Sequence, residues 1–223
     1  MIYRFIEYIQ KYPLSLFESF CVIVPIIIGL AFYKKLSKPL LFLWLYPLSY
    51  LITDIPIWYR ALNKVNNYLF INIQEIIGAV ILLIFFNMVL EKLSRTGFLI
   101  SLLCLLVTAF LGFEEKITST PIYVVNRIAF IFFCFMFFYQ LLEKLNIKNL
   151  LYYPYFWIFS GILIYSCGTL FMYLYPQVTV SFDIKQETWT FFSNMKDIFK
   201  ILLHMFLAIG FGVSRYTKRY EFS

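Results

Sequence analysis

Charge is what this sequence has least of. Asp, Glu, Lys and Arg make up 14% of its 223 residues, while 62% are hydrophobic; a soluble globular domain carries roughly 25% charged residues. So much apolar surface exceeds what one soluble core can bury, and the composition predicts an integral membrane protein. Histidine is almost missing: His204 stands alone, and without a second histidine or a Cys/His spacing of the zinc kind no metal site is expected. The four cysteines, Cys21, Cys104, Cys134 and Cys167, fall inside apolar runs with no close pair, so they read as small apolar fillers. G-x-S-x-G, H-E-x-x-H and a glycine-rich phosphate loop are absent, which removes the enzyme classes those motifs carry. No cofactor is expected. The net charge of +7 is spread through loops and reads as topology, with no nucleic-acid partner.

Long apolar runs are what the chain has in plenty. Seven spans can be marked, at about 14–33, 39–58, 68–90, 97–113, 122–142, 154–175 and 189–213, each near the roughly 20 residues that a helix needs to cross the hydrocarbon layer. They are continuous, unlike the ten-residue alternations of a β-barrel. The first run ends at Lys34-Lys35 without an A-x-A-like site, so it reads as a membrane helix and not as a cleaved signal. The expected fold is all-α: one polytopic membrane domain over residues 1–223, a single seven-helix transmembrane bundle. Pro25, Pro47 and Pro56 should kink the first two helices, where each removes a backbone donor. Trp58, Tyr59, Tyr152, Tyr153, Tyr155 and Trp189 sit at span ends, the place for amphipathic rings. The 27 phenylalanines read as lipid-facing bulk. Residues 178–184, Val-Thr-Val-Ser-Phe-Asp-Ile, alternate like a short strand, though a plain connector is the simpler expectation.

Lys and Arg in the loops set the orientation. Lys34, Lys35, Lys38, Lys92, Arg95, Lys144, Lys148, Arg215, Lys218 and Arg219 lie on one side; Arg4, Lys11, Arg60, Lys64, Lys116 and Lys185 lie on the other. The positive-inside rule then places the N-terminus outside and the C-terminus in the cytoplasm. A bacterial inner membrane is the expected location.

Against this apolar background seven ionisable side chains fall within the spans: Glu18, Asp54, Glu75, Arg127, Lys196, Asp197 and Lys200. Each costs about 2.5–3.5 kcal/mol at a helix centre on insertion scales. At about 1.5 Å rise per residue, all seven come to lie in one layer in the outer part of the bilayer. Four acids and three bases permit mutual pairing, which is cheaper than burying like charges. Glu75 and Asp54 are expected to meet Arg127 and one of the lysines, and Asp197 can pair with Lys200 three residues on. Lys196, Lys200 and His204 recur every four residues as one stripe. His204 is expected to be a hydrogen-bonded packing residue. Three readings of the layer stay open: structural salt bridges with snorkelling ends, a site for a small polar ligand or lipid headgroup, and a catalytic site. Catalytic residues are not assigned, and a non-enzyme is favoured.

The stretches Leu51-Ile-Thr-Asp-Ile-Pro, Asn66 to Ile77, Phe156 to Phe171 and Ile201 to Phe211 resemble an uncharacterised family of seven-transmembrane-helix proteins of Bacteroidota. Its pattern has an acid late in helix two, another in helix three, and F-W-I-x-x-G-x-x-x-Y in helix six; Asp54, Glu75 and Phe156 to Tyr165 fill those places. Members are often encoded near sensor histidine kinases, so the resemblance implies a sensory or accessory signalling role with a cytoplasmic partner. Two alternatives are weighed beside it. A small lysoplasmalogenase-like lipid hydrolase also begins its second helix after Lys-Pro, here Lys38-Pro39, but the glycine-aspartate expected at that helix's end is Thr53-Asp54. A retinal-binding seven-helix protein would use Lys200 with Glu75 as counter-ion, but the residue four before Lys200 is Lys196, not an aspartate.

Overall fold

The computed structural model describes residues 13–90, 95–112, 120–144, 149–179 and 186–216; within its helices some side chains, such as those of Cys104 and Trp189, fall outside the description. Every regular element among these residues is helical. We number the α-helices α1 (Pro13–Cys21), α2 (Ile23–Ala31), α3 (Lys38–Leu43), α4 (Leu45–Leu62), α5 (Tyr68–Val89), α6 (Arg95–Gly112), α7 (Thr120–Lys144), α8 (Pro154–Thr179) and α9 (Gln186–Val213).

Proline places the breaks. A helical N–H at position i bonds the carbonyl at i−4, and Pro25 and Pro47 have no N–H to give to Cys21 and Leu43. Those are the last residues of α1 and α3, so α1–α2 and α3–α4 are each one rod with a single-residue break, at Val22 and at Trp44. Pro56 lies inside α4 without breaking it. Just before it, Ser49 donates to the Tyr46 carbonyl and Thr53 to that of Ser49, the back-bonding that bends helices. Pro154 opens α8, where its missing donor costs nothing.

Six stretches are long and apolar enough to cross a membrane: Pro13–Ala31, Lys38–Leu62, Tyr68–Val89, Pro121–Glu143, Pro154–Leu174 and Thr190–Tyr216. The chain is thus all-α in its described residues and has the make-up of a multi-pass membrane protein. The remaining rod, α6, is helical over the fourth marked run, but its apolar stretch, Gly97–Val107, is shorter. One connector expectation changes. Val178 and Thr179 are the last turn of α8 and not strand; residues 180–184 lie outside the described residues, as do Lys218 and Arg219 of the basic tail.

The rods close into a ring. α9 packs along α8 on one side and along α1 and α2 on the other; α8 packs on α7, α7 on α5, α5 on α4 and α3, and α2 on α4, with α6 in the groove between α5 and α7. Bare glycine faces permit the close approaches. A Cβ on Gly161 would stand 2.5 Å from the Cβ of Phe206, across the α8–α9 seam. Phenylalanine is not only bulk toward lipid: Phe85, Phe86, Phe130, Phe133, Phe137, Phe159 and Phe211 are core residues, and Phe137 stacks on Phe159 with centroids 3.8 Å apart. The Ser37 and Tyr155 hydroxyls are 2.7 Å apart, which puts those two connectors at the same end of the bundle. The seven charged side chains within the spans lie toward the opposite end.

Candidate functional site

Five of the seven charges lie around a cavity and two lie apart from it, sealed in the core. The sealed pair is Glu75 on α5 and Arg127 on α7, with side chains 5% and 1% exposed. Arg127 grips the carboxylate with both arms of its fork, Nη1 donating to Oε1 at 2.7 Å and Nη2 to Oε2 at 3.0 Å. The planar fork matches a carboxylate's geometry. Its Nε donates to Thr169 Oγ1 at 2.9 Å and Nη2 also donates to the Tyr165 hydroxyl at 2.8 Å. The Tyr165 ring lies 4.5 Å from the guanidinium, and Asn126 reaches Glu75 Oε1 at 3.4 Å. Tyr165 and Thr169 are one turn apart on α8, so a single ion pair ties together three helices. Buried charge is tolerable when paired and hydrogen-bonded, and here four of the five guanidinium donors and both carboxylate oxygens are engaged. It is a lock.

The other group is open. Glu18 on α1, Asp54 on α4 and Lys196, Asp197 and Lys200 on α9 line a cavity of about 180 Å³, together with Ser15, Ser19, Trp58, Asn67, Gln74 and Ser193. Its walls come from four rods, and its outer rim is the turn between α4 and α5. Trp58 braces α4 against α1 by donating to Ser19 Oγ at 3.0 Å. Pairing here is sparse. Lys200 Nζ stands 3.5 Å from Glu18 Oε1, beyond the usual length of a charge-assisted hydrogen bond, and 5.3 Å from the centre of the Tyr50 ring. Gln74 donates to Asp54 Oδ1 and to Thr53 Oγ1, each at 2.8 Å. Glu18 Oε1 and Asp54 Oδ2 are buried without a hydrogen-bond donor.

Several pairings expected from sequence are not formed. Glu75 meets Arg127 as anticipated, but Asp54 takes its hydrogen bond from Gln74, not from Arg127 or a lysine. Asp197 and Lys200 make no ion pair despite their spacing; the lysine leans across to α1 instead. His204 is packed, 1% exposed, but not hydrogen-bonded: both ring nitrogens lack a partner. Glu18 Oε1 is 3.9 Å from its Nε2, and the Tyr50 ring meets it edge-on with centroids 6.1 Å apart. The supposed single layer is two sites back to back on α5, where Gln74 faces the cavity and Glu75 faces the lock.

Gln74 and Thr169 were not singled out from the sequence, and Thr53 and Tyr165 were named only in the family resemblances, with no site role. Polar side chains inside an apolar run were the available signal: Gln74 adjoins Glu75, and Tyr165 and Thr169 share a face of the sixth run at i, i+4. No family model matches this chain, and neither a curated protein nor a solved structure matches it.

Proposed function

We propose that the chain is a sensory or accessory signalling protein of a bacterial inner membrane that responds to a small polar ligand held between α1, α4, α5 and α9. In this reading α6 is the seventh crossing, the N-terminus lies outside and the C-terminus in the cytoplasm. The placement of α6 is supported by geometry: the charged ends of α5 and α7 meet at the Glu75–Arg127 pair, so the chain between them must return along the bundle.

The observation that carries the proposal is the contrast between two charged groups in one bundle. A set of purely structural charges would be saturated, as Glu75 and Arg127 are. The cavity group is not, and it surrounds space of ligand size: an apolar cavity of about 150 Å³ accepts benzene, so this one has room for about six to eight non-hydrogen atoms.

A route for the response is built into α1. The break at Val22 makes this nine-residue segment separable from α2, and Glu18, near its end, ties it to Lys200. A ligand that replaces either partner removes that tie, and in this reading it binds more tightly when α1 is released from α9, the differential affinity that a population shift requires. The retinal alternative gains no support, since Lys200 leans on Glu18 and Glu75 is taken by Arg127.

A screen of small polar metabolites by thermal unfolding, paired with distance measurements between spin labels at Phe17→Cys on α1 and Ile52→Cys on α4, both exposed positions, tests the reading. At least one compound should stabilise the protein and change that distance, and Lys200→Met should abolish both effects. A screen in which no compound does so removes the sensory role. Release of a cleaved lipid, lost in Asp54→Asn, would put the hydrolase in its place.

A further inference from the structure

We propose that the cavity takes a zwitterion: a molecule with a primary ammonium at one end and an anionic group at the other, the ammonium held by Glu18 and Asp54 and the anion by Lys196. This rests on the cavity being a ligand site and names the ligand's chemistry.

The first argument is the charge census. Three carboxylates and two ammonium groups line the cavity, and only Glu18 with Lys200 forms an ion pair among them. Asp197, 5% exposed, has neither a hydrogen bond nor an ion pair among the described residues, and the same holds for Lys196. Groups of both signs therefore face one small space with a single ion pair between them among the described residues. A lone cation would neutralise the excess negative charge but leave Lys196 without an acceptor. A lone anion would satisfy Lys196 and then face three carboxylates. A neutral polar ligand could hydrogen-bond to both walls but would bring counter-charge to neither. Only a ligand of both signs supplies what each wall lacks.

The second argument is geometric. Asp54 Oδ2 has no hydrogen-bond donor, and Glu18 Oε1, on a different helix, has only the long ion pair to Lys200. Acceptors on two carboxylates from separate helices suit the three radiating donors of an ammonium. A planar guanidinium would instead ask for one carboxylate square to its fork, the arrangement found at Glu75 and Arg127. Lys196 lines the cavity from a third helix, α9, so the two ends of the ligand are held by different helices.

The same chemistry exists free, as in small amino acids, and tethered, as the headgroup of phosphatidylethanolamine. The experiment separates them. The full chain is placed in nanodiscs of phosphatidylglycerol alone, and thermal unfolding is followed with β-alanine, propylamine or propionate added. If a free zwitterion is the ligand, β-alanine raises Tm in a concentration-dependent way, while its two singly charged analogues do not. If the headgroup is the ligand, replacing half of the lipid with phosphatidylethanolamine raises Tm and β-alanine adds little. Either shift should vanish in Lys196→Met and in Asp54→Asn, neither of which touches the lock. It should also vanish in Ser193→Phe, which fills the cavity without removing a charge. Propylamine or propionate acting as strongly as β-alanine overturns the zwitterion and leaves a ligand cavity standing. Silence from β-alanine and phosphatidylethanolamine overturns it too. In that case the metabolite screen decides whether the sensory reading falls with it.

Discussion

Arg127 shows how a full charge can sit at the centre of an apolar bundle. Four of its five N–H donors have protein acceptors within 3.0 Å, so water has been replaced, not merely removed. Breaking such a pair strands the other charge. Arg127→Met should therefore cost about 3–5 kcal/mol, read from unfolding in detergent. Glu75→Met combined with Arg127→Met should recover much of that loss. A double variant as unstable as the single one would mean that the damage is to packing and not to charge. Tyr165→Phe deletes only a hydroxyl that accepts from the guanidinium and should cost about 1.5–3 kcal/mol, the range for hydrogen bonds to charged groups. Lys200→Met should cost less than Arg127→Met, because its one ion pair is long and opens on a polar cavity. These residues differ in role although the sequence presents them as alike.

At the scale of the element, the breaks and the close seams decide what can move. Pro25→Ala restores a donor for the Cys21 carbonyl, so α1 and α2 should fuse into one helix. Amide exchange across residues 22–26 should slow, and any ligand-driven movement of α1 should shrink; unchanged exchange would show that the break has another cause. The seam between α8 and α9 should not tolerate added bulk. Gly161→Ala drives a methyl toward the Phe206 Cβ, which cannot rotate away because it is fixed to the backbone, and overpacking of this kind costs about 1–3 kcal/mol. Gly212→Ala meets nothing nearer than Ile28 Cγ2 at 3.8 Å and should be close to neutral in the same unfolding assay.

Sidedness is a property of the whole molecule, and it turns on α6. Single cysteines at Lys35, Lys64 and Leu151, in a background lacking the native thiols, can be probed in intact cells with an impermeant maleimide. With seven crossings and the N-terminus outside, Lys64→Cys should label at once, and Lys35→Cys and Leu151→Cys only after permeabilisation. If α6 does not cross, Leu151→Cys becomes accessible from outside while Lys35→Cys stays protected. The contact between Ser37 and Tyr155, which places both connectors at one end, leads us to expect the first result.

The linear chain by itself determined the helical, membrane-spanning make-up and the places where two rods break, because both follow from local chemistry: apolar runs of sufficient length, and prolines that withhold a donor from a carbonyl four residues back. It also marked all five charged residues of the cavity and both partners of the lock. It could not say which belonged to which. Depth along a helix follows from residue count, but the direction a side chain faces depends on how each helix is turned against its neighbours, and a step of one residue rotates a side chain by about 100°. That rotation separates Gln74 from Glu75, sending one to the cavity and the other to Arg127. Packing of the Phe-rich seams and glycine faces sets it. The division of seven similar charges into a closed lock and an open site was decided only by the tertiary structure.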